Sequence, residues 1–175
     1  MSLRINSRRP LYLTGAALAC ILAGRVVVER YGPRLVVNTT GSEPRGVYWL
    51  SAPSRQALGR ATLVVMAVPG AFRALIQERH WARAGVPLLK NVGAIAGDTV
   101  CVTAGTLSIN GAPVAPVLRA DSQGRPLPQL RGCWQLPAGY FLPLSTHVPN
   151  SFDGRYMGQE PLSSIRAVAH PLWIF

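Results

Sequence analysis

Fifteen prolines and seventeen glycines are spread along this 175-residue chain, and they rule out a fold built on long helices. Each proline removes a backbone donor and each glycine weakens a helix, so the segments between them are short and end in turns. About half of the residues are apolar (49%), enough for one proper core and an appendage. Apolar and β-branched runs mark strands at 35–37, 47–50, 61–68, 88–95, 99–102, 107–109, 112–114, 141–142 and 165–168. Asn110-Gly111 between two of these runs is a hairpin signal, because the pair supplies the positive φ angles of a type I′ turn. The one helix expected is 71–84, with Phe72, Leu75 and Ile76 on one side, Arg73, Gln77 and Glu78 on the other, and Gly85 to end it. Residues 119–131, with Pro126 and Pro128, read as an exposed loop. The fold class is mainly β with one short helix.

The N-terminus carries a membrane signal. Arg4, Arg8 and Arg9 precede an apolar run from Leu11 to Gly24, which resumes after Arg25 as Val26-Val27-Val28. That length is adequate for a span if Arg25 snorkels to the interface, and the basic flank places the N-terminus in the cytoplasm and the body outside it. The competing reading is a cleaved secretory signal at Ala17-Leu18-Ala19, but the apolar run continues past that site. The organisation expected is an anchor over residues 1–30 in a bacterial inner membrane and a periplasmic body over 31–175. Cys101 and Cys133 then lie in a compartment where they either bridge or stay as two buried thiols. The net charge of +11 is carried by arginines scattered singly apart from Arg8-Arg9, with no nucleic-acid-binding motif, so anionic lipid is a better partner than nucleic acid. His80, His147 and His170 stand far apart and imply neither metal nor cofactor.

Three segments carry candidate chemistry. In Gly41-Ser42-Glu43-Pro44, Ser42 sits in a turn between two strands, where a hydroxyl can enter a cleft and a backbone N–H can face a reacting carbonyl. In Leu88-Leu89-Lys90-Asn91-Val92, the only lysine among eighteen basic residues is flanked by apolar side chains. An arginine there stays protonated, whereas a desolvated lysine can lose its proton and act as a base. In Ser151-Phe152-Asp153-Gly154-Arg155, the acid and the arginine share one side of an extended segment and can pair. Each segment alone also fits an ordinary turn, a lysine reaching solvent past its stem, or a surface ion pair of little worth.

Their order and spacing resemble the signature boxes of the type I signal peptidases, membrane-anchored serine proteases with a Ser/Lys dyad. Pro44 follows Ser42 by two residues rather than three, which is similar to the conjugative-transfer branch, the TraF-type peptidases that mature pilin subunits. The resemblance covers residues 36–170. It implies Ser42 as nucleophile and Lys90 as general base, within hydrogen-bond reach of each other. It implies Thr40 as an oxyanion-hole hydroxyl, and Ser151 and Arg155 as support. Asp153 is implied as a brace with a catalytic part. Two positions depart from the general pattern. Gly154 stands where a serine helps to orient the lysine, leaving that task to Asp153 or Thr40. Glu43 replaces an apolar residue, either tuning substrate choice or facing solvent. The activity implied is cofactor-free endopeptidase processing of a pro-pilin or similar exported precursor, ending in hydrolysis or in a cyclic pilin. The alternatives are a general signal peptidase and a non-catalytic envelope component of a transfer apparatus.

Overall fold

The structure is a computed structural model that describes residues 14, 15, 17–25, 34–54 and 58–175. These fall into two units, the second being Leu35–Phe175. In the first, residues 14, 15 and 17–25 are helical. The rest of the expected anchor lies outside the described residues. No helix among the described residues is long and apolar enough to cross a membrane.

The second unit is mainly β. Its strands are β1 (Arg34–Asn38), β2 (Gly46–Ser51), β3 (Leu63–Met66), β4 (Leu88–Ile95), β5 (Thr99–Thr103), β6 (Thr106–Ile109), β7 (Ala112–Pro116), β8 (Gly132–Gln135), β9 (Tyr140–Leu144), β10 (Glu160–Pro161) and β11 (Ile165–Ile174). Two short helices interrupt them, α1 (Arg73–Glu78) and α2 (Gly154–Met157). The strands form a seven-stranded sheet in the order β1-β2-β11-β3-β4-β9-β10 and a four-stranded sheet in the order β7-β6-β5-β8. Strand β4 lies inside the larger sheet, antiparallel to β3 on one side and to β9 on the other. Successive side chains on a strand face opposite ways, so Lys90 and Val92 share one face of β4, and both are buried. The sheet pleat therefore puts the lysine where an apolar residue would ordinarily sit.

The smaller sheet is fixed by its turn chemistry and by a covalent tie. Asn110 and Gly111 adopt φ angles of 52° and 82°, as a type I′ hairpin requires, and β6 and β7 pair across them. Cys101 and Cys133 face each other across β5 and β8 and are joined by a disulfide, which decides between the two readings of these thiols. Asp98, in the turn before β5, accepts from Ile95 N, Asn110 Nδ2 and Arg60 Nε. With Arg60 as the first cause, its carboxyl titrates at about 2.

Several local expectations change. The helix stops at Glu78, well before Gly85. His80 takes a left-handed φ of 56°, and Trp81 N–H returns to Ile76 O while His80 N–H returns to Gln77 O. This is a Schellman ending with histidine in the usual glycine position. The strand expected over 61–68 is limited to β3, and the terminal strand runs on from 168 to Ile174. The 119–131 loop is pinned rather than free: Ala120 bridges Pro126, Leu127 enters the main core, and Asp121 pairs with Arg79 and Arg125. The segment Asp153–Arg155 is not extended but the start of α2, so the body holds a second helical turn.

Candidate active site

The turn that carries Ser42 is held by one side chain. Asn38, buried at the end of β1, donates Nδ2 to the carbonyls of Thr40, Glu43 and Pro44 at 3.2, 3.0 and 3.0 Å. Its Oδ1 accepts from Thr40 N at 3.1 Å and from Thr40 Oγ1 at 2.7 Å. Thr40, expected to offer its hydroxyl to an oxyanion, thus gives that proton to Asn38. It reaches a reacting carbonyl only by releasing this bond.

Lys90 is 3% exposed, and its Nζ donates to Ser151 Oγ at 2.7 Å and to Ser145 Oγ at 3.3 Å. No hydrogen bond links Ser42 to Lys90 among the described residues. Catalytic contacts in an unliganded enzyme are commonly looser than in the substrate complex. Burial pushes the lysine pKa down; the Asp153 and Glu43 carboxylates oppose that shift and the Arg155 cation adds to it. A neutral amine has two N–H groups and one lone pair. Ser145 and Ser151 take the two N–H groups, so the lone pair remains for an incoming proton.

Ser151 follows the segment after β9 and leads into α2. Ser145 is fully buried at the end of β9, and its backbone N–H donates to Asp153 Oδ2 at 2.9 Å. Asp153 caps α2 by accepting from Arg155 N at 3.1 Å, and its carboxylate forms a fully buried ion pair with the Arg155 guanidinium at 2.8 Å. Arg155 in turn donates to the carbonyls of Ser145 and Pro149 at 3.1 and 2.7 Å. Both Asp153 oxygens are thereby occupied, and the acid makes no hydrogen bond to the lysine among the described residues; it acts through its charge and through Ser145. The lysine is therefore oriented by Ser145 and Ser151, not by Asp153 or Thr40.

Glu43 does not face solvent. It is 3% exposed, accepts from Asn91 Nδ2 at 2.9 Å, and accepts from Ser145 Oγ. Burial raises its pKa, against the lowering effects of the Ser145 bond and the Lys90 charge. Ser42, Thr40, Lys90 and Ser151 line one open cleft of about 810 Å3, walled by Trp81 and Phe152. Phe152 packs against Trp81, Phe72 and Tyr156 with ring centroids 4.8, 5.7 and 5.4 Å apart.

Comparison with known proteins matches residues 11–173 to the signal peptidase family, peptidase S26. The chain belongs to this family. The conjugal transfer protein TraF of Agrobacterium fabrum is 33% identical over 180 residues, covering 98% of this chain and 99% of its own. The plasmid transfer protein TraF of Escherichia coli is 32% identical over 168 residues, covering 90% of this chain and 91% of its own. A signal peptidase I from Enterococcus faecalis of known crystal structure aligns at 21% identity with a TM-score of 0.38, covering 67% of this chain and 98% of that one.

In this signal peptidase family member the glycine at 154 has a packing reason. A Cβ there would lie 2.5 Å from Pro143 O and 2.7 Å from Leu142 Cδ1, and the carbonyl belongs to β9 and cannot swing aside. Gly154→Ser is therefore expected to destabilise the fold by about 1–3 kcal/mol, the usual range for overpacking. Urea unfolding of the purified protein measures it; a neutral or stabilising result would show that the segment has room for the serine. Asn38 and Ser145 were not among the residues singled out from the sequence. Asn38 carries a readable sign, an Asx residue opening a turn. Ser145 has only its place as the first polar residue after an apolar strand.

Proposed function

We propose that this protein is a serine endopeptidase in which Ser42 attacks a peptide carbonyl and Lys90 takes its proton. The observation that carries the proposal is the buried Lys90 amine, with both N–H groups engaged, in the same cleft as Ser42. As Ser42 Oγ bonds to the scissile carbon, its proton passes to Lys90 Nζ, and the Ser42 N–H and the Thr40 hydroxyl stabilise the oxyanion. Collapse of that intermediate sends the proton from Lys90 to the leaving amine. Water, or the substrate's own amino terminus, then attacks the acyl-enzyme and gives up a proton to Lys90, which returns it to Ser42. The full-length likeness to plasmid and conjugal transfer proteins favours a precursor exported for conjugation, a pro-pilin above all, over the broad substrate range of a general signal peptidase. The basic flank and apolar run at the N-terminus support an inner-membrane anchor, and the Cys101–Cys133 bridge supports an oxidising compartment for the body.

The pH profile tests the base. Lys90 works only when neutral, so activity rises as pH passes upward through its pKa, which burial sets below the usual 10.5. Rates on a pro-pilin peptide are expected to climb between about pH 6 and 9 and to vanish in Ser42→Ala at every pH. A flat profile over that range would rule out a lysine base, and residual turnover by Ser42→Ala would remove the nucleophile.

A further inference from the structure

The acid beside the nucleophile has a geometric task that the Ser/Lys reading leaves unassigned. A serine hydroxyl carries one proton and can give it to one partner. Ser145 Oγ lies between Glu43 Oε1 and Lys90 Nζ, so the direction of its single proton decides what the amine meets. We infer that Glu43 is a positioning residue: its carboxylate takes the Ser145 proton, forces that hydroxyl to accept from Lys90, and so keeps the amine's lone pair open for the proton of Ser42. This inference rests on the Ser42/Lys90 reading and deepens it.

Three observations support it. Glu43 is nearly sealed from solvent and has only hydrogen-bond donors as direct partners among the described residues, Asn91 and Ser145. Asn91 is next to Lys90 on β4, so the glutamate is held from the same strand that carries the base. The charged groups acting on Lys90 are Glu43 from the serine turn, and Asp153 and Arg155 from the start of α2. His147, after β9, acts on Glu43. Asp153 is matched by Arg155 in a closed ion pair, whereas Glu43 has no cation in salt-bridge contact among the described residues. Its negative charge, together with that of Asp153, favours the ammonium that forms when Lys90 is protonated. Without a carboxylate in this place, Ser145 is free to turn its proton toward the lysine lone pair and occupy it.

The single lysine makes the test direct, because full-length protein labelled with 13Cε-lysine in detergent micelles has one lysine side-chain signal. That signal is titrated in the parent, Glu43→Gln and Ser145→Ala, and pro-pilin peptide cleavage is measured in parallel. Glu43→Gln is expected to move the lysine midpoint to lower pH, since an anion that favours the ammonium is gone. Its kcat is expected to fall about 10- to 100-fold, part of what a general base supplies, with KM nearly unchanged. Ser145→Ala lowers kcat as well, and the double variant is no slower than Ser145→Ala, because the carboxylate acts through that hydroxyl. A purely structural role would leave the lysine midpoint in place. An unmoved midpoint with parent-like kcat in Glu43→Gln, or losses that multiply in the double variant, would overturn the inference. If Ser42→Ala retained activity, the Ser/Lys reading would fail separately, whatever the lysine titration showed.

Discussion

Lys90→Arg is expected to turn over substrate at least about 10^3-fold more slowly than the parent, within the range that loss of a general base produces. The substitution keeps a cation at position 90 but not one that can deprotonate in a protein. Arginine is also larger than the site, which Ser145, Ser151 and the strand pleat enclose, so a second variant separates chemistry from packing. Lys90→Met has nearly the same length, no charge and no lone pair of comparable basicity. It is expected to match the arginine variant in kcat while keeping the thermal midpoint close to that of the parent. Cleavage of a pro-pilin peptide by the purified full-length proteins, alongside thermal unfolding, measures both. A methionine variant that retained more than about a tenth of parental kcat would remove lysine from the role of base.

Asp153→Ala is expected to produce the largest loss of stability. It leaves the Arg155 guanidinium without a counter-charge at a site where both side chains are 0% exposed. Breaking one side of such a pair costs about 3–5 kcal/mol, mostly from the uncompensated buried charge. The contrast with Arg60–Asp98 is instructive, because the Arg60 side chain is 53% exposed and water can replace its partner. Urea unfolding of Asp153→Ala and Arg60→Ala is expected to separate them clearly, with only the first losing a substantial part of its stability. Equal losses would show that burial does not set the value of these pairs. Activity should fall with stability in Asp153→Ala, since Ser145 N–H loses its acceptor and the lysine loses one of its supports.

The sequence showed some of this arrangement because certain residue types permit few conformations. Asn110-Gly111 announced its hairpin, and the run 88–95 announced β4 with Lys90 on a fixed side of the pleat. Ser42 and Lys90 stood out through the order and spacing of three segments, each of which alone fits a plainer reading. What was not legible depends on contacts between distant segments. β8 is four residues of mixed polarity that form a strand by pairing with β5, where Cys133 meets Cys101. The early end of α1 follows from His80 adopting a conformation usually left to glycine. Glu43 was readable only as tuning substrate choice or facing solvent, because its donors, Asn91 and Ser145, are far from it in the chain. The burial of Asp153 and Arg155 was hidden for the same reason: their partners are carbonyls of the preceding segment and an amide at the end of β9.

The aromatic stack on Phe152 has one more consequence. Phe152 sits in sequence between Ser151, which holds the lysine amine, and Asp153, which anchors the segment, and its ring meets Trp81 from the excursion between β3 and β4. The wall that a substrate side chain touches and the support that steadies the base are thus one continuous piece of chain. Under the proposed mechanism, the substrate-facing wall and the support of the base are coupled through Phe152.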